Sequence, residues 1–109
     1  MMQKLLTSFL LIFTFSLTSN FQAKAALLPV TSVADDLVGS LRATVAAAAA
    51  GDTITFDALI DGLPILLTSG EIMIDKPLMI MGNGSSSTII NASGFSRVFN
   101  IVDAGAVTL

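Results

Sequence analysis

Gly51-Asp52-Thr53-Ile54-Thr55-Phe56 is where the chain changes its period. From Thr53 onward apolar residues fall on every second position, with Ile54 and Phe56 on one side and Thr53 and Thr55 on the other. That alternation predicts a strand with one buried face. Further short apolar runs follow: Ile65-Leu66-Leu67, Ile72-Met73-Ile74, Leu78 to Met81, Thr88 to Asn91, Val98 to Ile101 and Ala106 to Leu109. Between them lie Asp61-Gly62, Thr68-Ser69-Gly70, Asp75-Lys76-Pro77, Gly82 to Ser87, Ser93-Gly94 and Asp103-Ala104-Gly105, all with turn chemistry.

Many very short strands joined by brief turns suit a sandwich, a barrel or a solenoid. Most of the joints lack hairpin dipeptides, which disfavours an antiparallel meander. Leu78 and Ile80 have counterparts in Phe99 and Ile101, both 21 positions later. A repeat of about 20 residues suits a parallel β-helix. The inward-facing set expected is Ile54, Phe56, Ile72, Ile74, Leu78, Ile80, Ile89, Phe99, Ile101, Val107 and Leu109.

Upstream of Gly51 the pattern is helical. Ser40 is a sound N-cap, and Leu41 to Ala50 carries the five-alanine run Ala46 to Ala50, with Gly51 placed to close the helix at C′. Leu41, Val45, Ala48 and Ala49 share one face. A helix of about ten residues is marginal alone in water, so this one must lie on something apolar. Leu27 to Ala34 precedes it as a short extended segment, in which Pro29 is tolerable near a strand start or at a sheet edge.

The first 25 residues read as a secretory signal peptide. Lys4 supplies positive charge, Leu5 to Thr18 is an uncharged apolar run, and Ala23-Lys24-Ala25 places small residues before a cleavage point at Ala26. The run falls short of the roughly 20 apolar residues a membrane span needs. Cleavage leaves 84 of the 109 residues, in which Arg42, Lys76 and Arg97 face eight acidic residues. That balance argues against nucleic acid and anionic membrane surfaces as partners. Cysteine and histidine are both absent, which removes disulfides, thiolate and imidazole metal sites and histidine general-base chemistry.

A family resemblance sharpens this reading. Val33-Ala34-Asp35-Asp36, Gly39-Ser40-Leu41-Arg42 and Gly51-Asp52-Thr53-Ile54-Thr55-Phe56 resemble the N-terminal start of bacterial right-handed parallel β-helix proteins of the pectin-lyase-like superfamily. So do Leu67-Thr68-Ser69-Gly70-Glu71-Ile72, Asp75-Lys76-Pro77-Leu78, Thr88-Ile89-Ile90-Asn91 and Arg97-Val98-Phe99-Asn100-Ile101. One branch of these starts reads Cys-Ser-Leu-Arg-Glu-Ala; here Gly39 stands at the Cys position and Ala43 at the Glu position. The resemblance implies an all-β solenoid over 52–109, its first two to three coils, with an opening strand and capping helix over 26–51, following the signal peptide read at 1–25. Ser40, Leu41, Val45 and Gly51 would then belong to the lid over its first turn.

The resemblance also implies two functions. One is a non-catalytic exported or cell-surface protein, adhesin-like, autotransporter-passenger-like or structural. The other is a polysaccharide lyase or hydrolase, whose acidic residues, often calcium-binding, and basic proton acceptor would lie beyond residue 109. A strand-like last segment without a following cap favours reading the chain as an N-terminal fragment, its partner a polysaccharide or a cell-surface ligand met through later parts. Within 1–109 no catalytic, cofactor or metal residues are expected. Asp35-Asp36 reads as the approach to the helix, Asp52, Asp57 and Asp61 as turn residues, and Arg42 and Arg97 as partners of nearby acids. Gly82-Asn83-Gly84-Ser85 lacks the lysine of a phosphate loop and reads as a tight turn.

Overall fold

The computed structural model describes residues 25–94 and 97–109. The signal-peptide reading, Ala23 included, therefore lies outside the described residues except at Ala25 and Ala26. The elements in chain order are β1 (Leu27–Val30), α1 (Leu41–Ala47), β2 (Thr53–Phe56), a 3-10 turn (Ala58–Ile60), β3 (Pro64–Leu66), β4 (Ile72–Ile74), β5 (Leu78–Ile80), β6 (Ile89–Asn91), β7 (Phe99–Ile101) and β8 (Val107–Thr108).

The strands sort into three separate small sheets: a four-stranded one in the order β1-β2-β5-β8, and the pairs β3-β6 and β4-β7. Every pairing is parallel. Leu27 lies beside Thr53, Thr53 beside Met79, Pro64 beside Ile89, Ile72 beside Phe99 and Leu78 beside Val107. Pro29 lies on β1, an edge strand. There it withholds a backbone donor from the open side.

This architecture corrects the expected fold class. In place of an all-β, right-handed parallel β-helix with a regular repeat near 20 residues, the described chain forms three small sheets of strands two to four residues long, with one α-helix. The spacing that linked Leu78 and Ile80 to Phe99 and Ile101 is not a pairing, because β5 pairs with β2 and β8 while β7 pairs with β4. Similar apolar patterns report similar burial. Register is decided by the intervening turns, which differ in length.

Side-chain alternation does place the core. Burial follows the pleat in β2, β4 and β5, where Ile54, Phe56, Ile72, Ile74, Leu78 and Ile80 point inward and Met73 and Met79 outward. Ile60, Ile65, Leu67 and Val30 join this core although the inward set omitted them. Phe99 and Val107 pack against it partly exposed, and Ile90 packs there in place of Ile89. Ile101 and Leu109 are exposed.

Helix α1 closes one side by packing on β1 and β4. Ser40 caps it, its Oγ accepting the Ala43 N–H at 3.1 Å. Leu41, Val45 and Ala48 form its buried stripe. The helix stops at Ala47, inside the alanine run, because Asp52 and Lys76 take over its end. Asp52 Oδ2 accepts the Ala49 N–H at 2.9 Å, and Lys76 Nζ donates to the carbonyls of Ala48 at 2.6 Å and Ala46 at 3.3 Å. These side chains satisfy groups that a further helical turn would have used. Ala49 is accordingly exposed. Gly51 lies in the following turn at φ +88° and donates its N–H to the Pro77 carbonyl at 2.8 Å.

Candidate functional site

The densest polar constellation grows from Gly39-Ser40-Leu41-Arg42, each residue of which has its own task. Gly39 sits at φ +89°, and its carbonyl accepts the N–H groups of Thr31 at 2.9 Å and Ser32 at 3.1 Å. A Cβ at Gly39 would collide with the Thr31 hydroxyl, and the left-handed backbone there suits glycine. Ser40 caps α1 and Leu41 is fully buried beneath it.

Arg42 then reaches sideways. Its Nε and Nη2 donate to Asp35 Oδ1 at 3.1 and 3.0 Å, Nη1 donates to the Glu71 carbonyl at 2.9 Å, and Nη2 also donates to the Gly70 carbonyl at 2.6 Å. Asp35 Oδ2 accepts the Ser69 N–H at 2.9 Å and the Thr68 hydroxyl at 3.2 Å. Helix α1, the segment before it and the turn before β4 are thus joined through one ion pair. Its side chains are 21% exposed for Arg42 and 7% for Asp35. Burial by itself would raise the Asp35 carboxyl, but hydrogen bonds from Ser69 and Arg42 and the guanidinium charge outweigh it and hold the group below its ordinary value.

A carboxyl lowered in the folded state contributes stability above its unfolded value of 3.8, and loses it as pH falls through the lowered folded value. The destabilisation caused by Asp35→Asn should therefore be largest near neutral pH and shrink as pH drops below 3.8. Urea unfolding at pH 7, 4 and 2.5 checks this, and a difference constant across that range would contradict it.

Four further carboxylates, Glu71, Asp52, Asp57 and Asp61, are likewise tied into the frame. Glu71 pairs with Arg97 and accepts from Asn100 Nδ2 at 3.1 Å. Asp52, 6% exposed, accepts the N–H groups of Ala26 at 2.8 Å and Ala49 at 2.9 Å. The Ala26 and Ala49 hydrogen bonds, with Lys76 nearby, hold its carboxyl below the usual range against the opposing effect of burial. Asp57 caps the 3-10 turn through the Leu59 N–H at 2.9 Å. Asp61 accepts from Asn83 Nδ2 at 2.9 Å, and the same amide donates to the Phe56 carbonyl at 2.9 Å. Asn91 Oδ1 accepts the Ser93 N–H at 2.8 Å in a local turn.

Among the described residues, no group of three or more acidic side chains converges as a metal site would require, and every buried side-chain nitrogen or oxygen has a partner. A cleft of about 350 Å³ runs between β1 and α1, lined by Leu28, Pro29, Val38, Gly39, Ala43, Thr44 and Ala47. Its walls are apolar and bring no acid or base to a substrate.

Sequence reasoning placed Arg42 and Arg97 beside acids, and the structure supplies Asp35 and Glu71 as those acids. It treated Asp35 as an approach residue and Asp52 as a turn residue, and so missed that each is a junction. The signal that could have found them is the lone basic residue available to each region, Arg42 and Lys76. No family model, curated protein or solved structure matches this chain, so the resemblance carried by Gly39 to Arg42 and its companions rests on those residues alone.

Proposed function

We propose that this chain is an exported, non-catalytic protein of the cell surface or the extracellular space, a scaffold that presents its outer face to a polysaccharide or another cell-surface ligand. One observation carries the reading: two enclosed carboxylates, Asp35 and Asp52, are spent on holding segments together. Asp35 is saturated by Arg42, Ser69 and Thr68, and Asp52 by Ala26 and Ala49. A general acid or base needs a free face toward its substrate, and these carboxylates have turned theirs inward. The export half of the proposal rests on Lys4, the apolar run from Leu5 to Thr18 and the small residues Ala23 and Ala25.

The test is to express the full chain, leader included, with a C-terminal tag in a Gram-negative host. The expected product lies outside the cytoplasm, begins at Ala26 by mass, and releases no reducing ends from pectic or neutral polysaccharides. Cytoplasmic retention with residues 1–25 still attached would sink the export half. Depolymerisation that follows the protein through purification would sink the non-catalytic half.

A further inference from the structure

We propose that cleavage after Ala25 turns the Ala26–Asp52 hydrogen bond into an ion pair, which latches the new N-terminus to the start of β2 and makes the processed chain more stable than its precursor. The inference rests on the export reading and takes its cleavage point. What carries it is the position of one nitrogen. Ala26 N lies 2.8 Å from Asp52 Oδ1, and Ala26 O accepts the Thr53 N–H at 2.9 Å. Residue 26 is therefore gripped on both sides by the segment that opens β2, and the β1–β2 register continues from it at Leu27 and Thr53.

The chemistry of cleavage acts on that nitrogen. Water adds across the Ala25–Ala26 amide, the C–N bond breaks, Ala25 keeps the carboxylate and Ala26 the amine, which takes up a proton at neutral pH. A neutral amide N–H facing Asp52 becomes an ammonium facing it, and a charge-assisted bond is markedly stronger than a neutral one. The receiving carboxylate is prepared. It is 6% exposed, its other oxygen is fixed by the Ala49 N–H, and it is held ionised.

The charged group facing the new ammonium is Asp52, from the start of β2, and the cation acting on Asp52 is Lys76, from the turn between β4 and β5. Lys76 directs its own charge at the Ala46 and Ala48 carbonyls. Lys24 leaves with the leader. Only this cleavage point forms the latch. A terminus at Ala25 leaves Ala26 N as an amide and carries the charge about 3.5 Å further along the chain, whereas a terminus at Leu27 removes the nitrogen altogether.

An ammonium held by a carboxylate has a raised pKa, so the latch is complete below the ordinary α-amino value of about 8 and is lost as pH rises through the raised value. On the acid side it is lost as Asp52 takes up a proton, below its ordinary 3.8.

The experiment uses the full chain exported and processed by the host. Intact mass first fixes the terminus, and the rate of α-amine acetylation is then followed from pH 6 to 10, in native conditions and in urea. The inflection of the native profile is expected about one unit above that of the unfolded chain, an about tenfold loss of free amine near neutrality. Steric shielding alone would lower the plateau without moving the inflection. The acetylated protein should also melt several degrees below the unmodified one. A terminus at Ala26 with matching inflections, or an unchanged melting temperature, overturns the latch and leaves export standing. A terminus elsewhere overturns the latch and the assigned cleavage point together.

Discussion

Replacing Ile54 by alanine is expected to lower the free energy of unfolding by about 3–4 kcal/mol. Ile54 is fully buried on β2, an inner strand of the four-stranded sheet. It pairs with Leu28 on one side and Ile80 on the other, so the three form an aliphatic row across the sheet. Truncation removes transfer free energy and leaves a hole. The hole cannot close, because β2 is held by backbone ladders on both flanks and the neighbouring rows are fixed with it. Thr55, the next residue, points to the opposite face beside Pro29. Thr55→Ala is the matched control, with a change within about 0.5 kcal/mol. Urea unfolding followed by circular dichroism compares the two, and a loss below about 1 kcal/mol at Ile54 would mean that this row is not the centre of the core.

Arg42→Ala is expected to cost about 2–3 kcal/mol, near the lower end of what breaking a buried ion pair from one side costs, because the guanidinium is partly exposed. The variant loses the donor to Asp35 and leaves a carboxylate that is 7% exposed with only Ser69 and Thr68 to satisfy it. It also releases the Gly70 and Glu71 carbonyls, which lead into β4. Arg42→Lys should recover less than half of the loss, since one ammonium cannot reproduce the fork that serves two oxygens of the turn and a carboxylate together. Faster amide exchange at Ser69 and Ile72 would accompany the loss of stability. Wild-type exchange there in Arg42→Ala, with a cost below about 0.5 kcal/mol, would show that the turn holds without the arginine.

The parts of the fold legible in the sequence were those governed by neighbours along the chain. Ser40 announced a helix start because a cap is a local bond, and the period-two pattern of Thr53 to Phe56 and Ile72 to Ile74 announced buried faces because pleating is local. Register was not legible. Phe99 resembles Leu78 in pattern yet pairs with Ile72, because which strands meet depends on turn lengths and long-range closure. The helix end misled for the same reason. Ala48 to Ala50 have high helical propensity, but Asp52 and Lys76 compete for the end of the helix from outside it. Asp35 was legible only as far as Arg42, the base nearest it in sequence; its other partners, Thr68 and Ser69, lie on a distant turn, and no spacing rule connects them.

Every sheet among the described residues joins strands that are far apart in the chain. Leu27 waits for Thr53, 26 positions on; Pro64 waits for Ile89, 25 positions on; and Leu78 waits for Val107, 29 positions on. Even β1 and β2, which follow one another as strands, are parallel and separated by helix α1, so each pairing pays for closing a loop of that length before any ladder bond repays it. On a chain made from its N-terminus, β1 therefore has helix α1 to pack against but no strand partner until Phe56 has emerged. β3 and β4 then lack strand partners until β6 and β7 appear. Pairings of this sequence separation are expected to make folding slower than that of a helical chain of this size.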